Sequence, residues 1–376
     1  MTARRLSTGG KIDRARTLRF DWDGRGLTGH PGDTLASALM ANGERVIGRS
    51  FKYHRPRGIM SAGVEESGAL VTLGDGDRRD PNVKATTQQL FDGLRAFGQN
   101  AWPSVRFDMA AVSGLFERFF AAGFYYKTFM GVPLFEWGSG TGMWMQYEKI
   151  IRRAAGMGEA SRAPDPDTYE HGHAFCDVLI VGSGPAGLSA TLAVARSGLD
   201  VILVEQDFLL GGDLLNQSGD QTERKRRDMI AAIEDAGARI MTRTTAFGLY
   251  DHGVAGLLER VTDHLGNADE HLPRQRFWTV RTKRTIVATG ALERHVAFGN
   301  NDRPGVMTAA AAAAYLNRYG ILPGHNIIVA TNNDSGYGPA VDLARAGADV
   351  TVIDARAALG DSLVDLASAH NITLRP

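Results

Sequence analysis

The chain has a single cysteine, Cys176, among 376 residues. One thiol excludes an internal disulfide, a CxxC redox pair and a four-thiolate cluster. Cys176 stands just before an apolar strand, where a packed, inert thiol is expected. Net charge is missing as well: 42 Lys and Arg balance 42 Asp and Glu, so no whole-chain bias points to nucleic acid. Long apolar runs are also absent. The most apolar stretch, Phe119–Phe135, is broken by Gly123, Lys127, Gly131 and Pro133, which argues against a spanning helix and so against a membrane role. The N-terminus is basic but has no apolar h-region, so no signal peptide is expected, and a cytoplasmic location is. With 43% hydrophobic and 22% charged residues, the composition is that of an ordinary globular protein. The length suggests about two to three domains.

What is present is organised around DVLIVGSGPAGLSATLAVARSGLDVILVEQ, Asp177 to Gln206. Val178–Val181 reads as a buried parallel strand. Gly182-Ser-Gly184-Pro-Ala-Gly187 follows at once, then a helical period ending at Gly198, then a second strand, Val201–Val204, closing at Glu205. This strand–turn–helix–strand setting is what gives a G-x-G-x-x-G its meaning as a dinucleotide site. Gly182 permits the tight turn, Gly184 lets backbone approach a pyrophosphate, and Gly187 lets helix and strand pack closely. The helix N-terminus offers free N–H groups to the phosphates. Glu205 suits the adenosine ribose hydroxyls and disfavours the 2′-phosphate of NADP. Gly211-Gly212 reads as a second backbone approach to the nucleotide. Thr285–Gly290 (TIVATG) reads as the strand and turn that return to the cofactor in two-dinucleotide flavoproteins, or as an internal strand ending in glycine.

A second such unit begins near residue 322, with a strand at Asn326–Ala330, a helix at Pro339–Ala346 and a strand at Val350–Ile353 ending in Asp354. Its turn is degenerate. Thr331-Asn-Asn333-Asp-Ser-Gly336 keeps only the third glycine, and Asp334 would repel a pyrophosphate. A fold retained without its ligand is the expectation. No catalytic acid, base or nucleophile stands out: His171, His173, Arg294 and His295 read as surface or packed residues. The chain stops at Pro376, just after Ile372–Leu374, so it reads as a fragment or as one completed by another chain.

The first 85 residues read differently. After a basic, disordered leader, Leu18 and Phe20 alternate with polar residues, Trp22-Asp-Gly24 turns, and Gly26–Gly29 returns as a hairpin. Asp33 or Thr34 caps a helix carrying Leu35, Ala38 and Leu39, and Gly43 stops it. Val46-Ile47 and Ala69–Leu73 are further strand candidates. This is the order of a ferredoxin-like β-grasp, but the loop that carries C-x₄-C-x₂-C in plant-type [2Fe–2S] proteins has no cysteine, so no iron–sulfur cluster and no bound metal are expected. The Arg49–Arg57 run, with Phe51 and Tyr53 interleaved, is either an anion clamp for a dinucleotide or a partner, or a solvated loop paired with Glu65 and Glu66. From 86 to 175, aromatics such as Trp102, Phe107, Phe124, Tyr125, Trp137 and Trp144 suggest a packing arm or a subunit interface. Gly138–Gly142 reads as a flexible turn, and Arg162–Asp167 (RAPDPD) as a linker.

The runs RSFKYHRPRGIMSAGVEESGALV, QNAWPSVRFD, AGFYYKTFM and NDRPGVM closely resemble the α subunits of heterotetrameric sarcosine oxidases, and the resemblance extends over essentially the whole chain. It implies an α/β fold with a small α+β domain. A cysteine-free β-grasp at 1–85 and a connector at 86–175 would precede a dinucleotide-binding domain at 176–321 and an incomplete second Rossmann-like unit at 322–376. It further implies NAD (FAD the alternative) in the first site, with Ala186 and Gly187 at the pyrophosphate, Glu205 and Gln206 at the ribose, Asp213 after the glycine pair, and Ala246 near the adenine. Partners of the β, γ and δ type would carry the flavins and the chemistry: oxidative demethylation of sarcosine to glycine, with peroxide and methylene-tetrahydrofolate formed. Two other functions stay open, a stand-alone FAD-dependent NAD(P)H oxidoreductase and an adaptor subunit of an amine or opine dehydrogenase.

Overall fold

The computed structural model describes residues 4–51, 53–116, 158–266, 269 and 271–375. Most of the aromatic run, from 117 to 157, and the 138–142 turn lie outside the described residues.

The N-terminal sheet begins as expected. Strands β2 (Leu18–Trp22) and β3 (Arg25–Gly29) form an antiparallel hairpin, with Phe20 and Trp22 turned inward and buried. Helix α1 (Leu35–Ala41) starts at Thr34, which exchanges reciprocal capping bonds with Ser37 at 3.2 and 2.9 Å, so two donors of the first turn are satisfied. The sheet then runs past residue 85. Strands β6 (Leu70–Leu73), β7 (Asp80–Lys84) and β8 (Arg95–Gly98) complete the order β3-β2-β8-β6-β7. β8 lies between β2 and β6, which puts a central strand beyond the boundary expected at residue 85. Val46-Ile47 is not a strand; pairing there is limited to β4 (Gly48–Arg49) with β5 (Pro56–Arg57).

The leader is not disordered over its described part. β1 (Arg4–Arg5) pairs antiparallel with β15 (Ile321–Leu322), and Arg5 reaches the buried Asp33 at 2.8 Å and the Tyr319 carbonyl at 2.9 Å. Arg5 thus has fixed acceptors, while Arg4 and Arg16 are exposed.

The largest sheet has the order β11-β10-β9-β14-β13-β12. β9 (Tyr169–Val181), β10 (Val201–Val204) and β11 (Arg239–Met241) are parallel to one another and to β14 (Gln275–Val287). β12 (Thr244–Tyr250) and β13 (Val254–Arg260) return as an antiparallel meander. Side chains alternate across these strands. Val178, Ile180, Val201 and Leu203 face helices α2 (Pro185–Arg196) and α3 (Asp220–Asp235), while Leu179, Ile202, Val204 and Met241 pack on Ala255, Leu257 and Val280. Burial on both faces is why the strand cores read as unbroken apolar runs.

A third sheet is fully parallel: β16 (Asn326–Thr331), β17 (Asp349–Asp354) and β18 (Thr373–Arg375), joined through α5 (Tyr337–Arg345) and α6 (Asp361–Ala369). Helix α4 (Ala309–Asn317) ties the pieces together. Ala311 and Tyr315 belong to the core of the N-terminal sheet, whereas Ala312 and Leu316 belong to the core of the third sheet. Among the described residues no helix is long and apolar enough to cross a membrane.

Candidate dinucleotide site

The turn after β9 has the geometry its glycines demand. Gly182 sits at φ +99°, a conformation L side chains rarely adopt, and an added Cβ would lie 2.5 Å from the Ala288 carbonyl oxygen. At Gly187 an added Cβ would overlap the carbonyl oxygen of Gly182. Gly184 is the opposite case: nothing lies within 4 Å of the position its Cβ would take. Two glycines thus serve internal packing, and the third leaves open space over the N-terminus of α2, where Pro185 occupies the first turn. Open backbone at a helix N-terminus fits an approaching pyrophosphate.

Glu205 is buried and holds the turn from beneath. Its Oε2 accepts from the Ser183 N–H at 2.8 Å and the Ser183 hydroxyl at 2.7 Å, and its Oε1 accepts from the Asp207 N–H at 2.9 Å. Ser183 Oγ in turn accepts from the Gly211 N–H at 3.1 Å. This chain of bonds brings the Gly211–Gly212 backbone over the first turn, and a Cβ on Gly212 would lie 2.8 Å from the Gly184 Cα. Ser183 occupies a variable position of the glycine pattern, so the motif alone did not single it out; its hydroxyl was the available signal.

The other expected residues are distributed around this centre. Ala186 is exposed on the first turn of α2. Gln206 is exposed, its carbonyl accepting from Arg260 at 2.9 Å. Asp213 is exposed and bonded to Gln217 at 3.0 Å. Ala246 lies half-buried on β12 and packs against the sheet core. Residues 288–290 leave β14 beside the turn: the Ala288 N–H donates to the Val181 carbonyl at 2.8 Å, and Gly290, at φ +73°, is exposed. Cys176 is packed in the sheet core, and burial pushes its thiol pKa up. His171 and His173 are exposed on β9.

The second turn is filled by its own side chains. Asp354, in the place corresponding to Glu205, is buried and accepts from the Tyr337 hydroxyl at 2.9 Å and from Arg356 at 3.0 and 2.7 Å. Arg356 also binds Asp334 at 2.7 Å. Thr331 presses on the remaining glycine, 2.8 Å from where a Cβ on Gly336 would stand.

The basic loop does not pair with Glu65 and Glu66 as the solvated-loop alternative had it. Arg55 and Arg57 both bind Asp302, in the NDRPGVM run. His54 binds Asp108 at 2.7 Å. Glu66 accepts instead from the backbone N–H groups of Met60, Ser61 and Ala69 at 2.8 to 3.0 Å.

A sheet whose parallel half carries helices on one face, a glycine turn open to a phosphate and an acidic residue closing the second strand define a dinucleotide-binding α/β protein of the oxidoreductase type. The chain belongs to the pyridine nucleotide-disulphide oxidoreductase family, whose model matches residues 176–371, more than half of it.

It is also a homologue of curated sarcosine oxidase α subunits. It is 48% identical to sarcosine oxidase subunit alpha of Rhizobium meliloti (strain 1021) over 367 residues, 96% of this chain and 36% of that protein. Identity to the same subunit of Corynebacterium sp. (strain P-1) is 36%, over 96% of this chain and 33% of that one. The chain therefore spans about a third of the length of these relatives. The crystal structure of L-proline dehydrogenase from P. horikoshii shares the fold, with a TM-score of 0.60 at 20% identity, covering 91% of this chain and 54% of that one.

One expectation is overturned. Residues 15–101 match the 2Fe-2S iron-sulfur cluster binding domain family, so the N-terminal domain cannot be set apart from iron–sulfur chemistry as its sequence suggested. The fit of the residues is a separate matter. Segment 15–101 contains no cysteine, and the thiolate donors usual for such clusters are not supplied by it.

Proposed function

We propose that this chain is the dinucleotide-binding, non-catalytic part of a sarcosine oxidase-type complex. The dinucleotide is NAD, held at Gly182, Gly184, Ala186 and Gly187, with Gly212 and Asp213 closing over the phosphates, Glu205 and Gln206 at the adenosine ribose, and Ala246 and Gly290 flanking the ends. The observation that carries the binding reading is the open space at Gly184 beside the buried Glu205 carboxylate. The first sheet is read as a ferredoxin-like β-grasp and the third as a Rossmann-like unit that has lost its ligand, a reading favoured by the filling of its turn by Arg356 and Tyr337.

With one nucleotide turn open among the described residues, we read the chain as holding a single dinucleotide, without a second cofactor placed against it for hydride transfer. The chemistry named for its relatives, oxidation of sarcosine, then belongs to partner subunits in a hetero-oligomer. The product set is glycine, peroxide and a one-carbon unit captured by folate.

Two measurements test this. Calorimetric titration should show NAD binding more tightly than NADP, with Glu205→Ala weakening NAD by about 1–3 kcal/mol; tighter binding of NADP would sink the assignment. Co-expression with flavin-carrying partners and the remaining α-subunit region should give sarcosine-dependent peroxide formation. Steady turnover of sarcosine or NADH by the purified chain alone would show that it is itself a catalyst.

A further inference from the structure

A cavity of about 280 Å³, lined by none of the turn glycines, lies between β11 and the ends of β13 and β14. Four arginines line it (Arg239, Arg243, Arg260 and Arg276) against one carboxylate, Glu259. That carboxylate is already committed. It accepts from Arg276 at 3.1 Å and from the Trp278 indole N–H at 2.8 Å.

Of the other three guanidinium groups, two hydrogen-bond only neutral acceptors among the described residues, and the third stacks on a ring. Arg243 places two donors on the Gln89 amide oxygen, at 3.0 and 2.8 Å. Arg260 donates to the carbonyls of Thr87 and Gln206, both at 2.9 Å. Arg239 lies over the Trp278 ring, 4.8 Å from its centroid. The neighbouring carboxylates are spent elsewhere: Asp207 on Arg318, at 2.6 and 2.8 Å, and Asp263 on Arg274 and Gln275, at 2.6 and 3.0 Å. His264 also lines the cavity, and its Nδ1 is buried without a hydrogen-bond partner among the described residues. Burial and the positive neighbours Arg243 and Arg260 push its pKa down to about 4.

Arg243 and Arg260 are half-buried beside the exposed Arg239, and the carboxylates that act on them, Asp207 and Asp263, are shared with Arg318 and Arg274, so positive charge is in excess around the cavity. We propose that this cavity binds a small, multiply charged oxyanion of the phosphate type, either inorganic phosphate or the phosphoryl end of a small phosphomonoester. One singly charged carboxylate would leave most of the excess uncompensated, whereas a phosphate dianion accepts several guanidinium bonds at once. The cavity shares no lining residue with the glycine turn, but Met241, Arg243 and Arg260 bond to the backbone of Glu205–Asp207, so it adjoins the end of the site assigned to the ribose.

Isothermal titration of the 376-residue chain with inorganic phosphate, against chloride at matched ionic strength, tests it. Saturable phosphate binding is expected, weakened at least about tenfold in Arg239→Gln. The Arg239 side chain makes no hydrogen bond among the described residues, so that variant should keep its fold. Arg243→Lys, which retains the charge but loses the fork, should weaken binding less. Gly184→Val, which fills the glycine turn, should leave it unchanged. The proposal is overturned if phosphate binds no better than chloride, if the arginine variants bind as well as wild type, or if Gly184→Val abolishes binding and so moves the phosphate to the dinucleotide turn.

Discussion

Arg318, at the C-terminal end of α4, places both terminal guanidinium nitrogens on the Asp207 carboxylate, at 2.6 and 2.8 Å. Asp207 follows Glu205 by two residues, and its backbone N–H is the donor to Glu205 Oε1. The helix that joins the N-terminal and third sheets is therefore tied directly to the loop that shapes the dinucleotide turn. Burial opposes ionisation of Asp207, but the charge and hydrogen bonds of Arg318 outweigh it and hold its pKa below the ordinary value. The guanidinium also lies 5.1 Å from the ring centroids of both Phe208 and Tyr319.

Arg318→Met should therefore destabilise the chain by about 2–3 kcal/mol, somewhat below the range for breaking a fully buried pair because Asp207 keeps partial exposure. Arg318→Lys should recover only part of this, since a point charge cannot reproduce the paired bonds. Urea denaturation of the three proteins checks the order. Equal stability of Arg318→Met and wild type would remove the pair from the fold's support.

The turn glycines should separate folding from binding. Gly184→Ala meets nothing within 4 Å, at a φ of −63° that alanine accepts, so its melting temperature should match wild type while NAD binding weakens at least about tenfold. Gly187→Ala, whose Cβ would overlap the Gly182 carbonyl oxygen, should lose about 1–3 kcal/mol of stability through overpacking. A stable Gly187→Ala that still binds NAD would show that helix and strand have room this geometry denies them.

Those glycines were legible because their chemistry is local: turn, helix start and strand end lie within thirty-odd residues, and each carries its own pattern. Strand β7 was not. Its sequence, Asp-Pro-Asn-Val-Lys, has proline at its second position, tolerable because β7 is the edge strand of its sheet. The lower half of β9, Tyr169 to His173, is mostly exposed and shows no apolar run; it is a strand because it pairs residue by residue with β14, more than a hundred positions away. The same distance hid the partners of the basic loop. Nothing near Arg55 in the chain points to Asp302, and charges 247 residues apart leave no periodic trace. Ion pairs that join folded units are products of tertiary structure, whereas the glycine pattern belongs to one supersecondary unit.

The Asp302 clamp carries a pH dependence. Hydrogen bonding by Arg55, then the charges of Arg57 and Arg55, outweigh burial and bring its pKa from 3.8 down to about 2. A carboxylate depressed on folding contributes stability that is fully present above its unfolded pKa and is lost as pH falls through its folded one. The contribution should fade between about pH 4 and 2, and amount to about 0.5–1 kcal/mol because the pair is partly exposed and solvent-screened. Asp302→Asn should lower stability at pH 7 by that amount and converge on wild type in acid. A constant gap from pH 7 to pH 3 would assign the loss to packing rather than to the charge.

His264 gives the last expectation, with the opposite chemistry. Burial first, then the charges of Arg243 and Arg260, lower its pKa from 6.5 to about 4, with Asp263 opposing. Between those two values the unfolded chain takes up a proton that the folded chain refuses. Stability then rises with pH across the window, and acidification from about pH 6.5 towards 4 favours unfolding. Other groups titrate there too, so the measurement is a difference: urea denaturation of wild type and His264→Asn at pH 7, 5.5 and 4.5 in phosphate-free buffer. The neutral variant should lose less stability on acidification than wild type, and the gap should narrow when phosphate is added, because a bound anion would let the imidazole charge. Parallel pH profiles for the two proteins would mean that neither burial nor the neighbouring arginines disfavour the charged imidazole of His264 in the folded chain.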